Sequence, residues 1–122
     1  MNFSIDSIDH VQLAAPNGCE VEAREFYSNL LGLQEIEKPQ ALKKKGGVWF
    51  SLGTTQIHIG VEEPFIPAKK AHPAFKMYNL AAFQAFLKEN DVPFTIDLEI
   101  PDVKRIFIYD PFGNRVEILE KK

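Results

Sequence analysis

The strongest constraint on the fold of this chain is an internal repeat. The chain has 122 residues, and the same order of predicted elements occurs in residues 8–61 and again in residues 71–120. In each half, a strand is followed by a helix and then by three strands. Such a repeat indicates two copies of one supersecondary unit, and this length is typical of a single domain. We therefore predict an α+β fold in which residues 1–122 form one domain of two tandem βαβββ modules.

The first half shows this order through its hydrophobic spacing. A helix is predicted from Cys19 to Leu31, because apolar residues recur at the spacing of one buried helix face and Gly32 ends it. Residues with strand character lie on both sides of the helix, and Pro16-Asn17-Gly18 ends the first of these segments. The predicted strands are 8–15, 33–37, 47–52 and 56–61.

The second half repeats the order. Asn79 is a plausible N-cap for a helix whose apolar stripe runs to about Asn90. The segment 110–114 (Asp-Pro-Phe-Gly-Asn) has the residue types of a tight turn, with proline after aspartate and a glycine two positions later. The predicted strands are 72–78, 94–96, 105–109 and 115–119.

Composition excludes several classes of function. The formal net charge is −3, which gives no electrostatic reason to expect a nucleic-acid partner. The run Lys43-Lys44-Lys45 precedes two glycines and is predicted to form a solvated loop tip. No apolar stretch has membrane-spanning length. The chain has one cysteine, Cys19, which cannot form an internal disulfide, so we expect a cytoplasmic protein without membrane or nucleic-acid partners.

The repeat also aligns the residues that could carry chemistry. His10 and His72 open equivalent strands, whereas His58 and Glu117 lie in the equivalent last strands of the two halves. These are all three histidines of the chain. Imidazole and carboxylate are ligands for divalent ions such as Zn²⁺, Ni²⁺, Co²⁺, Mn²⁺ and Fe²⁺. If the four side chains converge, they form a metal site.

Taken singly, each of these four residues has a plainer explanation. A histidine in a strand is commonly a packing or surface residue, and Glu117 alone would be a charge at a sheet rim. The metal hypothesis therefore rests on the symmetric placement of the four residues.

Three segments make the chain resemble the vicinal oxygen chelate superfamily, which includes glyoxalase I, fosfomycin-resistance proteins, bleomycin-resistance proteins and extradiol dioxygenases. The resemblance covers about residues 7–120 and implies paired βαβββ modules that form an incomplete barrel around a metal. The three segments are Ile8-Asp9-His10-Val11, Phe26-Tyr27-Ser28-Asn29-Leu30-Leu31-Gly32-Leu33 and Tyr109-Asp110-Pro111-Phe112-Gly113-Asn114-Arg115-Val116-Glu117.

The resemblance implies that His10, His72 and Glu117 are metal ligands. Glyoxalase I has a glutamate at the position of His58, so the chain departs from that pattern. His58 is then a fourth ligand, a base or a second-sphere residue, and it joins Glu117 as a candidate catalytic residue. A four-ligand set would favour six-coordinate Ni²⁺, Mn²⁺ or Fe²⁺ over tetrahedral Zn²⁺.

Strand alternation adds candidates for binding a substrate. Arg105, Phe107 and Tyr109 should share one face of their strand, where the arginine and the tyrosine could hold an anionic or oxygen-rich molecule. Trp49 or Phe50 could form a wall of the same pocket, and alternation does not decide between them. The competing explanations are a surface salt bridge for Arg105 and core packing for Phe107.

The leading hypothesis is a divalent-metal-dependent enzyme that acts on a small oxygen-rich molecule, as a glyoxalase-like lyase or isomerase, a transferase or a dioxygenase. The alternative is a non-catalytic protein that binds an antibiotic, as bleomycin-resistance proteins do. The resemblance also implies a homodimer.

Overall fold

The computed structural model describes residues 2–121. The chain divides into two compact units, with the boundary between Ile66 and Pro67. Each unit holds one four-stranded sheet and one main helical segment. These elements confirm the predicted α+β class with a βαβββ order in each half. Within residues 2–121, no helix is both long enough and apolar enough to cross a membrane.

The first unit contains the sheet β1-β4-β3-β2, in which β1 runs parallel to β4 and the other neighbours are antiparallel. The helix predicted for residues 19–31 is α-helical only in its first turn and then continues with π-helical bonding. A 3₁₀ helix occupies the position of the predicted lysine-rich loop tip. The elements are β1 (His10–Ala15), α1 (Glu20–Ala23), the π-helix (Arg24–Leu30), β2 (Gln34–Ile36), the 3₁₀ helix (Gln40–Lys45), β3 (Val48–Leu52) and β4 (Thr55–Val61).

The second unit has the same topology, with strand order β5-β8-β7-β6 and β5 parallel to β8. The predicted N-cap is present, because the side-chain oxygen of Asn79 accepts a hydrogen bond from Ala82 N. The carboxylate of Glu120 accepts a second bond from Leu80 N at 2.9 Å, which satisfies another free donor of the first helical turn. The elements are β5 (Ala74–Lys76), α2 (Leu80–Glu89), β6 (Thr95–Asp97), β7 (Val103–Tyr109) and β8 (Arg115–Lys121).

Each sheet has one face that is apolar and buried. In the first unit this face packs against buried side chains of the helical segment, including Tyr27, whose ring centroid lies 5.7 Å from that of Phe50. Because side chains alternate along a strand, the opposite face carries the polar residues. The apolar residues buried on this face are Leu13, Ala15, Val48, Phe50, Ile57 and Ile59 in the first sheet and Ile106, Ile108, Val116 and Ile118 in the second.

Strand β5 is shorter than the predicted strand 72–78. It begins at Ala74, so His72 lies before the strand rather than within it. Pro73 has no N–H to donate to a ladder, although its carbonyl accepts a hydrogen bond from Glu117 N at 3.0 Å. His72 therefore lies outside the regular ladder, two residues before β5.

Candidate functional site

Strand pairing gives the candidate residues equivalent positions in the two units. Gln12 lies opposite His58 across β1 and β4, and Ala74 lies opposite Glu117 across β5 and β8. His10 precedes Gln12 by two residues, as His72 precedes Ala74. The pairing therefore supports the equivalence of His10 with His72 and of His58 with Glu117 that the repeat indicates.

In the first unit, His58 lies in the middle of a stack of three rings. Its ring centroid lies 3.6 Å from that of Trp49, with an angle of 4° between the ring planes. On the other side the His10 ring lies at 4.2 Å, with an angle of 14°. Trp49 is the residue directly opposite His58 across β3 and β4, so the stack follows from the strand register.

The hydrogen bonds of the stack orient its imidazoles. His58 Nε2 lies 2.8 Å from Gln56 Oε1, a side chain two residues earlier on the same strand face. His10 Nδ1 lies 2.9 Å from Asp9 Oδ2. A carboxylate at one ring nitrogen of a histidine commonly fixes the ring so that the other nitrogen can bind a metal. The contact with Asp9 thus leaves His10 Nε2 free of this hydrogen bond, as the predicted ligand role requires.

The stack also sets the charge of His58. Burial lowers the pKa of His58 below its ordinary value, and the nearby His10 lowers it further, with Asp9 acting in the opposite direction. His58 is therefore neutral at neutral pH. Lone pairs of imidazole nitrogens lie in the ring plane. Because the His10 and His58 rings are nearly parallel, their lone pairs lie in two parallel planes and do not converge on one point. This geometry favours a positioning role for His58, which holds the ring of His10. It is less suited to a role for His58 as a second ligand of the same ion.

In the second unit, the candidate ligands contact each other directly. His72 Nε2 lies 2.9 Å from Glu117 Oε1, and His72 Nδ1 lies 2.7 Å from the carbonyl oxygen of Lys70. Because a carbonyl can only accept, His72 Nδ1 carries a proton. The other ring nitrogen therefore faces the carboxylate of Glu117, which is itself buried.

The spacing of this pair is that of a direct hydrogen bond, and it also suits two ligands of one divalent ion. Two ligand atoms bound at about 2.1 Å and about 90° apart are separated by about 3 Å, close to the distance between His72 Nε2 and Glu117 Oε1. Within residues 2–121, however, no three His, Cys, Asp or Glu side chains form a group that could hold a metal. The structure thus provides two pairs, His10 with His58 and His72 with Glu117, and a shared site of all four residues stays a prediction.

Arg105 is the main cationic neighbour of this pair. Its Nη1 lies 3.6 Å from Glu117 Oε1, and its Nη2 lies 3.1 Å from Asp97 Oδ1. The backbone N–H of Glu99 donates to that same aspartate oxygen, and this bond, followed by Arg105, lowers the pKa of Asp97. Arg105 thus forms a salt bridge, which was the competing explanation for this residue in the sequence analysis. The salt bridge lies beside the candidate ligand Glu117.

The remaining candidates for substrate binding differ in their surroundings. Phe107 is buried, with the guanidinium of Arg115 at 3.8 Å from its ring centroid and the His72 ring at 5.6 Å. Tyr109 is exposed.

Trp49 lies on the polar face of the first sheet, whereas Phe50 is fully buried against the helical segment. Of these two aromatics, only Trp49 is placed where it could touch a ligand on that face.

Sequence reasoning missed the side chains that orient the candidates, namely Asp9, Gln56 and Asp97. Gln56 could have been found from the two-residue strand period, which puts it on the same face as His58. Asp9 adjoins His10 in sequence. The role of Asp97 depends on its pairing with Arg105 across β6 and β7, which the sequence did not define.

Cys19 is buried and precedes α1. Burial, with a smaller contribution from the neighbouring Glu20, raises the pKa of its thiol to about 11. We therefore expect that the native protein at pH 8 reacts with a thiol reagent such as DTNB far more slowly than the same protein unfolded in guanidinium chloride. Equal rates in the two states would contradict the buried, protonated thiol.

Comparisons with known proteins agree with this fold. The profile of the Glyoxalase/Bleomycin resistance protein/Dioxygenase superfamily matches residues 7–118. The structure of a glyoxalase family protein from Bacillus anthracis shares 51% identity, covers 100% of both chains and superposes with a TM-score of 0.96. No curated protein shows a significant match.

More distant structures share the fold alone. TnmS3, an antibiotic binding protein from Streptomyces sp. CB03234, has 16% identity over 99% of this chain and 100% of its own, with a TM-score of 0.79. The fosfomycin resistance protein FosX from Listeria monocytogenes has 15% identity over 98% and 96%, with a TM-score of 0.77. With its repeated modules and the match over residues 7–118, the chain belongs to the Glyoxalase/Bleomycin resistance protein/Dioxygenase superfamily.

Proposed function

We propose that this protein is a divalent-metal-dependent enzyme that acts on a small oxygen-rich molecule. The observation that carries the proposal is the contact between His72 Nε2 and Glu117 Oε1 at 2.9 Å. In this proposal His72 and Glu117 are ligands, and His10 supplies a third through its Nε2. The ion is Ni²⁺, Mn²⁺, Fe²⁺, Co²⁺ or Zn²⁺.

A bound ion of this kind supplies Lewis-acid polarisation to neighbouring oxygens of a substrate. The residues of the chain would do the rest. Arg105, 3.6 Å from Glu117 Oε1, would hold an anionic or oxygen-rich part of the substrate, and Tyr109 would contribute its hydroxyl. Phe107 and Trp49 would provide apolar walls. His58, neutral and stacked on His10, would keep the ring of that ligand in place.

Metal binding tests this proposal without any assay of activity. Tag-free protein is stripped with a chelator and titrated with Ni²⁺ and Mn²⁺ by calorimetry. We expect His72→Ala and Glu117→Gln each to lower metal affinity by more than about a hundredfold, since even second-shell partners of a metal are worth up to that factor. His10→Ala should do the same if the first module supplies the third ligand.

The control for these variants is Glu89→Gln, which removes an exposed carboxylate from α2 and should leave metal affinity unchanged. Unchanged affinity in Glu117→Gln would refute the proposed ligand set. If only His10→Ala binds like the wild type, the metal is held by the second module without that histidine.

We further propose that the chain forms a homodimer, as the family resemblance implies, and light scattering in solution checks this. Mixing His10→Ala with Glu117→Gln protein then identifies the source of the ligands. If His10 and Glu117 of different copies share an ion, mixed dimers regain one intact site. If both come from one copy, the mixture binds no more metal than either variant alone.

A second candidate is a binding protein without catalysis. The specific observation is that TnmS3, whose fold this chain shares, is an antibiotic binding protein. This candidate requires neither His72 nor Glu117 to bind metal. Wild-type protein that binds neither metal in the titration would favour it over the enzyme.

A further inference from the structure

The first unit contains a cleft that none of the proposed metal ligands lines. It lies beside the 3₁₀ helix and has a volume of about 240 Å³, slightly below the roughly 300–1,000 Å³ of typical small-molecule pockets. Its polar lining consists of Gln12, Lys38 and Lys45, and its aromatic lining is Trp49. A small organic molecule, or one end of a larger one, fits this space.

The charge of the cleft is one-sided. Lys38 and Lys45 both line it, and none of its described lining residues is acidic. One donor of the Lys38 ammonium binds the carbonyl oxygen of Gly46, and an ammonium has two more. The nearby carboxylate of Glu20 accepts a hydrogen bond from Gly47 N at 2.7 Å. Two ammonium groups at a concave surface attract an anion.

Trp49 adds an apolar surface to this charge. His58 covers one face of its ring, so the cleft is lined by the remainder of the ring. The backbone also leaves room here, because residue 60 is a glycine and a Cβ at that position would lie 2.7 Å from the Gln12 amide nitrogen. The Gln12 side chain therefore lies across Gly60 and contributes its amide to the cleft wall.

We propose that this cleft binds a small organic anion, a carboxylate carried on a flat apolar body, with the carboxylate at Lys45 and Lys38 and the body against Trp49. The proposal goes beyond the proposed function, because the site needs no metal and would serve an enzyme or a binding protein equally. Its location next to the Trp49–His58 stack makes it a subsite for one end of a ligand that reaches the histidines.

The single tryptophan of the chain makes the proposal testable by NMR, since the indole N–H gives one resolved signal even for weak binding. Chelator-treated protein is titrated with benzoate, with the neutral benzamide and with inorganic phosphate. We expect benzoate to shift the indole signal saturably and to bind more tightly than the other two probes. Saturable binding under these conditions cannot depend on a bound metal ion.

Two variants and one control locate the ligand. Lys45→Gln should weaken benzoate binding by about threefold to fivefold, the effect of losing one solvent-accessible charge pair. Gly60→Val should abolish it, because Gly60 lines the cleft and a side chain added there takes up cleft space and displaces the Gln12 amide from the wall. The dispersion of the spectrum reports an intact fold. Lys44→Gln removes the same charge from the same helix outside the cleft and should leave binding unchanged.

Three outcomes would overturn the proposal. The first is the absence of a saturable shift with benzoate. The second is equal binding of benzoate and one of the other probes. Equal binding of benzamide would mean that the lysines do not attract the carboxylate, and equal binding of phosphate would mean that Trp49 does not bind the apolar body. The third is an equal effect of Lys44→Gln and Lys45→Gln, which would mean that the general charge of the helix, and not the cleft, attracts the anion.

Discussion

Replacing Gly47 with alanine is expected to destabilise the protein by roughly 3–5 kcal/mol, from a strained left-handed backbone together with a steric clash. Gly47 has φ +87°, and a Cβ there would lie 2.1 Å from the carbonyl oxygen of Ile59. That oxygen belongs to β4, so β3 and β4 would have to separate at the end of their pairing. The backbone N–H of Gly47 would also move away from Glu20, its hydrogen-bond partner.

Urea denaturation measures this effect through the fluorescence of Trp49, which lies two residues after Gly47 in β3. The matched control is Gly53→Ala, because Gly53 also has a positive φ, +58°, but nothing lies within 4 Å of its would-be Cβ. In this control, the free energy of unfolding should fall by only about 1–2 kcal/mol, the cost of the backbone strain alone. Equal losses in the two variants would mean that the contact with Ile59 has no effect on stability.

The second large effect is expected at the turn between β7 and β8. Asp110 is buried, and its Oδ1 accepts hydrogen bonds from Phe112 N at 3.0 Å and Asn114 N at 2.8 Å. Its Oδ2 accepts a third from the side-chain amide of Asn114 at 2.9 Å. Asp110→Ala leaves three donors without this partner, at about 1–3 kcal/mol for each unsatisfied buried donor. Because Phe112 N is only partly buried, we expect a total loss in the lower part of the summed range, about 3–5 kcal/mol.

Asp110→Asn separates these contributions. Its amide oxygen can still accept from the two backbone donors, whereas its NH₂ group would face the NH₂ group of Asn114. We therefore expect a smaller loss than for Asp110→Ala in the same denaturation experiment. Asp6→Ala, at an exposed position, serves as the control and should be near neutral. An unaffected Asp110→Ala would show that this turn holds its shape without the carboxylate.

This turn also shows how far the sequence predicts the candidate site. The prediction of strands 105–109 and 115–119 around a five-residue turn implies that Tyr109 lies opposite Arg115, as observed. Continuing two residues along each strand then puts Phe107 opposite Glu117, on the face where His72 and Arg105 lie. Here strong turn chemistry and strict alternation fixed the register.

The first module was harder to predict because its turn is shorter than expected. The sequence indicated a turn of Gly53-Thr54-Thr55, but Thr55 begins β4 and pairs with Leu52. A shift of one residue in such a hairpin moves every side chain to the other face. Trp49 and Phe50 are both aromatic, so composition did not reveal which of them would stack on His58. The start of β5 after His72 was missed for a similar reason, since strand ends depend on local hydrogen bonding at Pro73.

The equivalent positions in the two modules have an evolutionary consequence. Both modules keep the same strand order and the same pairing at His58 and Glu117, yet one position carries a neutral imidazole in an aromatic stack and the other a carboxylate beside an arginine. The same strand pairing thus accommodates either of these two side chains at this position. Because the buried face holds each module together, a substitution at this position of the polar face changes the chemistry that the module offers without touching the buried packing.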